Sequence, residues 1–334
     1  MRADTLHALV DRHDAGALVL RDVANFAWYT HGGDSRVDHA NPLGVADVVI
    51  TRGGEYVVTS SIEAPRMREE QTPAYQVVEY PWHQGADATL RDLAGGREAI
   101  LDSDPRVRDD ISRMRVVLDE RAQSQLRVVG RDTAAALANT ADLVEPGMSE
   151  HEAAGLLAMA LRSRNLAPHV LLAATDERIR RHRHALPFGA QIEKRVMLVA
   201  SAERHGLYAN ITLIRNFEDP DPETQRRMDA CSEILARAHD ATRPGRTLAD
   251  VFADIQRFYA EAGFADEWRL HHQGGSTGYR SRETIATAGT DDEIEVGMAF
   301  AWNPSISGAK AEETFLLAEE PMVVCAPARV PARA

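Results

Sequence analysis

The chain has 334 residues, which is more than a single core usually serves, so its length favours two domains. With 44% hydrophobic and 27% charged residues, 22 glycines and 15 prolines, the composition excludes a disordered, collagen-like or low-complexity chain. The formal net charge of -13 would repel nucleic acid and anionic membrane surfaces, so we expect neither as a partner.

The first hundred residues alternate between helical patterns and short β-branched runs, which are typical of a small α/β domain. A helix is predicted at the start of the chain. Strands are predicted at 17–20, 45–51, 55–60 and 75–80, with helices near 61–69 and 86–94. The charged segment 102–118 contains an early proline and is interpreted as a linker that leads into a helix. The predicted N-terminal domain with its linker covers residues 1–118.

The remaining chain, 119–334, is predicted to form a second domain that begins with two long helices. The first is the Ala-rich segment 119–143, and the second starts at Ser149, which forms a capping box with Glu152. Further strands are predicted at 169–174, 196–201, 207–214, 297–302 and 312–318, with helices at 222–240 and 247–262.

Two further features bear on where the protein works. No apolar run reaches the roughly 18 residues of a spanning helix, and the acidic, amphipathic start is unlike a signal peptide, so we expect a cytoplasmic protein. Cys231 lies in an apolar helical pattern and Cys325 in an apolar run typical of a strand. Both are therefore interpreted as buried thiols rather than as a disulfide framework.

Several motifs in the second domain occur in an order that resembles a known family. They are PGMSE, RHRHALP, MLVASAERHGLYANITLIRNF, HHQGGSTGY, EVGMAFAWNP and GAKAEETFLL. This order resembles the pita-bread catalytic domain of peptidase family M24, which methionine aminopeptidase, aminopeptidase P, prolidase and creatinase share. The segment NFAWYTHGGDSRV resembles the N-terminal domain of the aminopeptidase P, prolidase and creatinase branch. The resemblance implies an α/β (α+β) fold, with a small creatinase-like domain followed by a pita-bread domain.

In the peptidases of that family the resemblance implies a dinuclear metal centre held by two Asp, one His and two Glu. The matching positions in this chain are, in order, at or beside Val199, Asn210, His272, Asn303 and Glu312. Valine has no lone pair and asparagine offers only a neutral oxygen, so most of the balancing charge is missing. We expect no catalytic metal and no other cofactor. A single ion on His272, Glu312 and an Asn oxygen is the alternative left open.

Creatinase has the same fold and cleaves a C–N bond without metal, using a histidine in a His-x-x-Pro setting. His184 and Pro187 match that setting here. An imidazole can take a proton from water and return it to a leaving nitrogen near neutral pH, so His184 is the candidate general acid/base. His182, two residues earlier, is the competing candidate. A solvated histidine in a basic turn is the structural alternative.

Lys310 and Glu312 are two residues apart on a predicted strand, so their side chains should share one face. Only Lys194 and Lys310 are lysines among the 38 basic residues, which favours a local reason for Lys310. We interpret the pair as catalytic, with the ammonium supplying charge that lost metals would have supplied. A solvent-facing ion pair is the alternative.

The remaining candidates are contacts for the substrate. His272 is expected among the catalytic groups, and Tyr279 and Asn303 as donors to the substrate or its oxyanion. Arg280 and Arg282 form a possible fork for a carboxylate, or they are ordinary surface charges. Asn210 and, from the N-terminal domain, Arg36 complete the set.

The predicted function is a metal-independent, creatinase-like hydrolase that cleaves a C–N bond of a small carboxylate-bearing substrate. It is predicted to be a homodimer in which the N-terminal domain lies near the neighbour's active site. Two alternatives stay open, a non-catalytic pita-bread binding module and a lyase or isomerase that uses the same base. A classical Xaa-Pro peptidase is disfavoured because its metal ligands are lost.

Overall fold

The computed structural model describes residues 2–327. The chain divides into two compact units, one up to Arg115 and one from Val116 onward. Residues 328–334, the end of the predicted second domain, lie outside the described part. Among residues 2–327, no helix has both the length and the apolar composition that a bilayer span requires.

The first unit is built on a five-stranded mixed sheet in the order β4-β3-β2-β1-β5. Its elements are α1 (Arg2–Arg12), β1 (Ala17–Asp22), α2 (Val23–Tyr29), β2 (Leu43–Thr51), β3 (Gly54–Ser60), α3 (Ala64–Arg66), β4 (Gln76–Tyr80), α4 (Asp87–Leu93), β5 (Ala99–Leu101) and α5 (Arg108–Val116). β1 pairs antiparallel with β2, Val19 opposite Val49, while β5 runs parallel to β1. Buried alternate residues of these strands pack against Leu90 and Ala94.

The helix predicted near 61–69 is shorter and less regular than expected. A single turn, Ala64–Arg66, is followed by the π-helical segment Met67–Gln71. Pro65 has no N–H and is tolerated only in a first turn, so the helix begins at Ala64. The segment 102–118 does lead into a helix, α5.

The second unit packs α-helices of 6 to 24 residues against antiparallel sheets. Its elements are α6 (Glu120–Leu143), α7 (Glu150–Arg162), β6 (Ala167–Thr175), α8 (Asp176–Arg181), β7 (Arg195–Arg204), β8 (Leu207–Asn216), α9 (Pro222–Ala241), α10 (Leu248–Glu261), a 3₁₀ helix (Glu267–Leu270), β9 (Gly274–Thr277), β10 (Thr284–Ile285), β11 (Ala299–Trp302), β12 (Ser305–Ile306), β13 (Ala309–Lys310), β14 (Glu313–Leu316) and β15 (Met322–Cys325). The sheets are β6-β7-β8, β10-β9-β11-β14-β15 and β12-β13. A bridge between Thr212 and Glu312 joins the first two.

The long helices begin where their capping residues predict. The Ser149 hydroxyl accepts from Glu152 N, and the Glu152 carboxylate accepts from Ser149 N, which confirms the capping box of α7. A second box, formed by Thr247 and Asp250, starts α10. Cys231 on α9 and Cys325 on β15 are buried free thiols, as predicted.

The strand predicted at 312–318 is present as β14, but Lys310 does not lie on it. Lys310 ends β13, a short strand paired with β12, whereas Glu313 begins β14 in the larger sheet. Glu312 lies between the two strands, because the chain leaves one sheet and enters the other at this point. Lys310 and Glu312 therefore do not share one strand face.

Candidate functional site

A cavity of about 90 Å³ opens in the second unit where β7 and β8 meet the end of β13. Apolar residues of β6 and β7, Leu172 and Val199 among them, form part of its wall. Its polar lining consists of His184, Ser201, Asn210, His272, Ser281, Arg282, Asn303, Lys310 and Glu312. Seven of the ten predicted site residues are thus brought together here.

Glu312 is the centre of a buried charge cluster. Lys310 Nζ lies 2.8 Å from Glu312 Oε2, and Arg282 Nη2 donates to Oε1 at 2.9 Å. The hydroxyl of Thr212 also donates to Oε2, at 2.8 Å. The side chains of Lys310 and Glu312 are each 5% exposed. Burial alone would raise the pKa of Glu312, but Lys310 and Arg282 hold it far below its usual range.

The cluster carries two cationic groups against one carboxylate, so the cavity has a surplus of positive charge. Arg282 is 13% exposed, and its Nε has no acceptor among the described residues. An anionic group of a ligand would supply that acceptor, because a guanidinium donates to carboxylates in a bidentate geometry.

His184 lies on the segment that follows α8, and a buried carboxylate holds this segment in place. Glu150, which is fully buried at the start of α7, accepts from Arg178 Nε at 2.8 Å and from Phe188 N at 2.8 Å. It also accepts from Thr175 N at the end of β6. His184 lines the cavity in this arrangement, and His182 does not.

Three imidazoles form a cluster at the edge of the cavity. His184 and His272 line the cavity, and His271 lies beside them. The Nε2 atoms of His184 and His271 are 3.0 Å apart, and the rings of His271 and His272 are 4.5 Å apart between centroids. Burial, with the nearby charge of Lys310, lowers the pKa of His271 to about 2. Burial and Arg282 lower that of His272 to about 4, and burial and Lys310 lower the pKa of His184. All three rings are therefore neutral at pH 7.

Two buried amides differ in how their polar atoms are satisfied. Asn210 donates to Thr277 Oγ1 at 3.2 Å and accepts from Ser281 Oγ at 3.1 Å. Asn303 is 2% exposed, yet no donor among residues 2–327 reaches its Oδ1. A buried amide oxygen without a partner is costly, so Asn303 has an acceptor available for a ligand N–H.

The other predicted substrate contacts lie elsewhere in the structure. Tyr279 is 2% exposed and Arg280 is exposed, and neither is among the residues that line the cavity. Arg36 lies in the first unit, where its Nε donates to Asp34. The roles of these three residues remain predictions.

Sequence reasoning missed several neighbours of the site. His271 is not among the predicted site residues, although its place next to His272 in the sequence was an available signal. Ser281 carried no signal, since its place depends on the turn after β9. Thr212 becomes a partner of Glu312 only through the bridge between β8 and the residue before β14.

The donor set does not suit the carboxylate-bridged dinuclear centre that the resemblance implies. Among the residues that line the cavity, Glu312 is the one carboxylate, and three donors already occupy its oxygens. Val199 has no donor atom, and Asn210 and Asn303 offer neutral oxygens. Two divalent ions would find little of the negative charge that they require.

The sequence profile of metallopeptidase family M24 matches residues 124–323. The probable dipeptidase PepE of Mycobacterium bovis is 25% identical over 222 residues, which make up 64% of this chain and 59% of that protein. The chain thus spans less than two thirds of the length of this curated relative. The PepE protein of Mycobacterium tuberculosis gives the same values.

Solved structures resemble the chain along nearly its whole length. A prolidase from Pyrococcus horikoshii superposes with a TM-score of 0.80 at 16% identity, over 98% of each chain. The dipeptidase PepE of Mycobacterium ulcerans gives 0.76 at 20% identity, over 99% of this chain and 95% of that one. At these identities the likeness shows the fold alone, and it confirms the predicted α/β architecture with a pita-bread domain.

Proposed function

We infer that this chain, which belongs to metallopeptidase family M24, is a hydrolase. In this proposal it cleaves a C–N bond of a small carboxylate-bearing substrate. The attacking water is not activated by a metal. The observation that carries this proposal is the charge arrangement of the cavity. Lys310 and Arg282 hold the one carboxylate of the lining, and neutral imidazoles face the same space. Such a site supplies positive charge and a base from its own side chains.

His184 acts as general acid/base in this proposal. Its neutral imidazole takes a proton from water as the water oxygen attacks the carbon of the scissile bond. The C–N bond then breaks, and the same proton passes to the leaving nitrogen. The low pKa of His184 keeps the basic form available at neutral pH, at the cost of some basicity.

The substrate is oriented by groups whose polar atoms are otherwise unused. Arg282 Nε and the charge of Lys310 bind the substrate carboxylate, and Asn303 Oδ1 accepts from a substrate N–H. His272 and Asn210 line the same cavity and enclose the reacting group. Tyr279, Arg280 and Arg36 are the further predicted contacts, which require a larger substrate or a second subunit.

A second candidate, a dipeptidase, is favoured by the names of the relatives. A dipeptide is itself a small carboxylate-bearing substrate with a C–N bond. The two alternatives that the sequence leaves open make different demands. A binding module needs no base, and a lyase or isomerase adds no water to its product.

The experiment uses the full chain after treatment with a chelator, assayed on guanidino acids, N-acyl amino acids and dipeptides. Turnover without added metal, with oxygen from ¹⁸O-labelled water in the product, supports the proposal. We expect His184→Ala to lose about 10²-fold or more in kcat, while His182→Ala serves as the matched control and keeps its rate. Turnover that requires Mn²⁺ or Co²⁺ together with two bound ions per chain would overturn it and restore a metal-dependent dipeptidase.

The proposal includes a homodimer, in which Arg36 of one subunit contacts substrate in the other. Light scattering should give twice the chain mass of 36.8 kDa. Arg36→Ala should raise KM while leaving the dimer intact. A monomer with full activity would remove this part of the proposal.

A further inference from the structure

The three histidines that meet at the cavity form a compact nitrogen cluster. Ligand nitrogens of His184, His271 and His272 all lie within 4.8 Å of one another. The closest pair, Nε2 of His184 and Nε2 of His271, is 3.0 Å apart. For comparison, two nitrogens bound at 2.0–2.1 Å in a tetrahedral zinc site are about 3.4 Å apart.

The local structure holds the backbone of two of the three histidines. His271 and His272 join the 3₁₀ helix Glu267–Leu270 to β9, and Gln273 Nε2 donates to His271 O at 2.6 Å. His271 is 8% exposed, and its Nδ1 has no partner among the described residues. The exposed His184 closes the cluster from the solvent side.

The Nε2 atoms of His184 and His271 face each other at a distance that requires a proton or an ion between them. Two lone pairs would repel each other at this separation, so either a ring N–H or a bound ion lies between the two nitrogens. A long hydrogen bond of 3.3 Å from Gly274 N to Nδ1 is the one interaction of the described residues that competes for the lone pairs of His272.

We infer that His184, His271 and His272 bind one divalent ion of the borderline class, with Zn²⁺, Cu²⁺ or Ni²⁺ preferred over Mg²⁺, Ca²⁺ or Mn²⁺. Imidazole nitrogens select such ions, whereas hard ions prefer carboxylate oxygens. The one carboxylate of the described lining, Glu312, is already bonded to three donors. Lys310 and Arg282 repel a cation and Glu312 attracts it, so the affinity is moderate rather than that of a structural zinc site.

This site differs from the carboxylate centre that the resemblance implies. It shares only His272 with the predicted ligand set and uses no carboxylate. An ion bound there uses the lone pair of His184. His184 therefore cannot act as a general base while the ion is bound. If the proposed function holds, on which this consequence rests, the ion is a reversible inhibitor of hydrolysis.

The test measures binding without substrate. Chelator-treated full chain is titrated with ZnSO₄ in a calorimeter, and the visible absorption of a Co²⁺ complex reports the ligand geometry. We expect about one ion per chain, and a loss of at least about tenfold in affinity for His184→Ala and for His271→Asn. His182→Ala, an exposed histidine two residues from His184, is the matched control and should bind as the unchanged chain does.

Circular dichroism establishes that each variant is folded. No saturable binding, or equal affinity in the unchanged chain and in folded His271→Asn, would overturn the inference. The activity assay separates the two proposals. Inhibition by Zn²⁺ that EDTA reverses supports both, whereas activation by one bound Zn²⁺ keeps the metal site and refutes metal-independent hydrolysis.

Discussion

The two lysines of the chain stand in opposite environments. Lys310 is 5% exposed and 2.8 Å from Glu312, whereas Lys194 is 66% exposed and 3.4 Å from Glu218. Loss of a buried partner leaves an uncompensated charge, which costs several kcal/mol, whereas an exposed pair contributes little. The buried ion pair therefore explains why position 310 has a lysine, whereas the exposed pair gives no such reason at position 194.

We expect Lys310→Met to lower the free energy of unfolding by about 3 kcal/mol, with Arg282 still present to limit the loss. Lys194→Met should change it by less than about 0.5 kcal/mol. Urea unfolding followed by fluorescence gives both values. Equal effects of the two substitutions would mean that the Lys310 pair is solvated.

A half-buried histidine outside the cavity, His239, is expected to lower the stability of the second unit in acid. His239 stacks on Phe315 with 4.9 Å between ring centroids, and burial lowers its pKa to about 4. The unfolded chain binds a proton near pH 6.5, but the folded chain does so only near pH 4. The free energy of unfolding therefore falls as the pH is lowered from 6.5 to 4.

The contribution of His239 to this fall is about 3 kcal/mol, because each pKa unit corresponds to about 1.4 kcal/mol. His239→Gln removes the titrating group, so the dependence of stability on pH should be flatter by that amount. Chemical unfolding at several pH values between 6.5 and 4 measures the difference. Parallel curves for both chains would show that His239 is not the group responsible.

At the scale of elements, β9 depends on glycine where it passes β11. Gly274 has a φ of +98°, and a Cβ there would lie 2.0 Å from Ala301 O. Since backbone cannot move aside cheaply, any side chain would force β9 away from β11 and would displace His272. Gly155 on α7 offers the opposite case, with no atom within 4 Å of a Cβ.

We expect Gly274→Ala to cost more than about 4 kcal/mol or to prevent folding. Gly155→Ala should stabilise the chain by about 0.5–1 kcal/mol, since alanine is the better helix former. Thermal unfolding of the two variants gives the comparison. A tolerated Gly274→Ala would mean that β9 can be displaced without loss.

The sequence was informative about elements whose pattern is local. The capping box at Ser149 and the periodicity of α10 identified helices because both depend on neighbouring residues. The prediction that Lys310 and Glu312 share one strand face is wrong, because the chain changes sheet between β13 and β14. That change depends on long-range pairing, which no local pattern encodes. His271 and Ser281 reach the site through packing, which no local pattern encodes.

At the scale of the whole molecule, the first unit has a sheet and an apolar cluster of its own. We propose that the predicted domain 1–118 folds by itself. Expressed alone, it should give dispersed amide signals in nuclear magnetic resonance and one cooperative unfolding transition in urea. Collapsed signals, measured beside the intact chain, would show that the first unit depends on the second.

Glu150 restrains the motion of the segment that carries His184. Leu186 and Phe188 have side chains that are 68% and 80% exposed, yet Phe188 N is bonded to a fully buried carboxylate. Opening the segment would leave that charge short of donors, so such openings are rare. The side chains can change rotamer in nanoseconds while the backbone beneath them exchanges its amide hydrogens slowly. The proposed base, His184, is thus held on a restrained main chain, while the apolar side chains of Leu186 and Phe188 project into solvent.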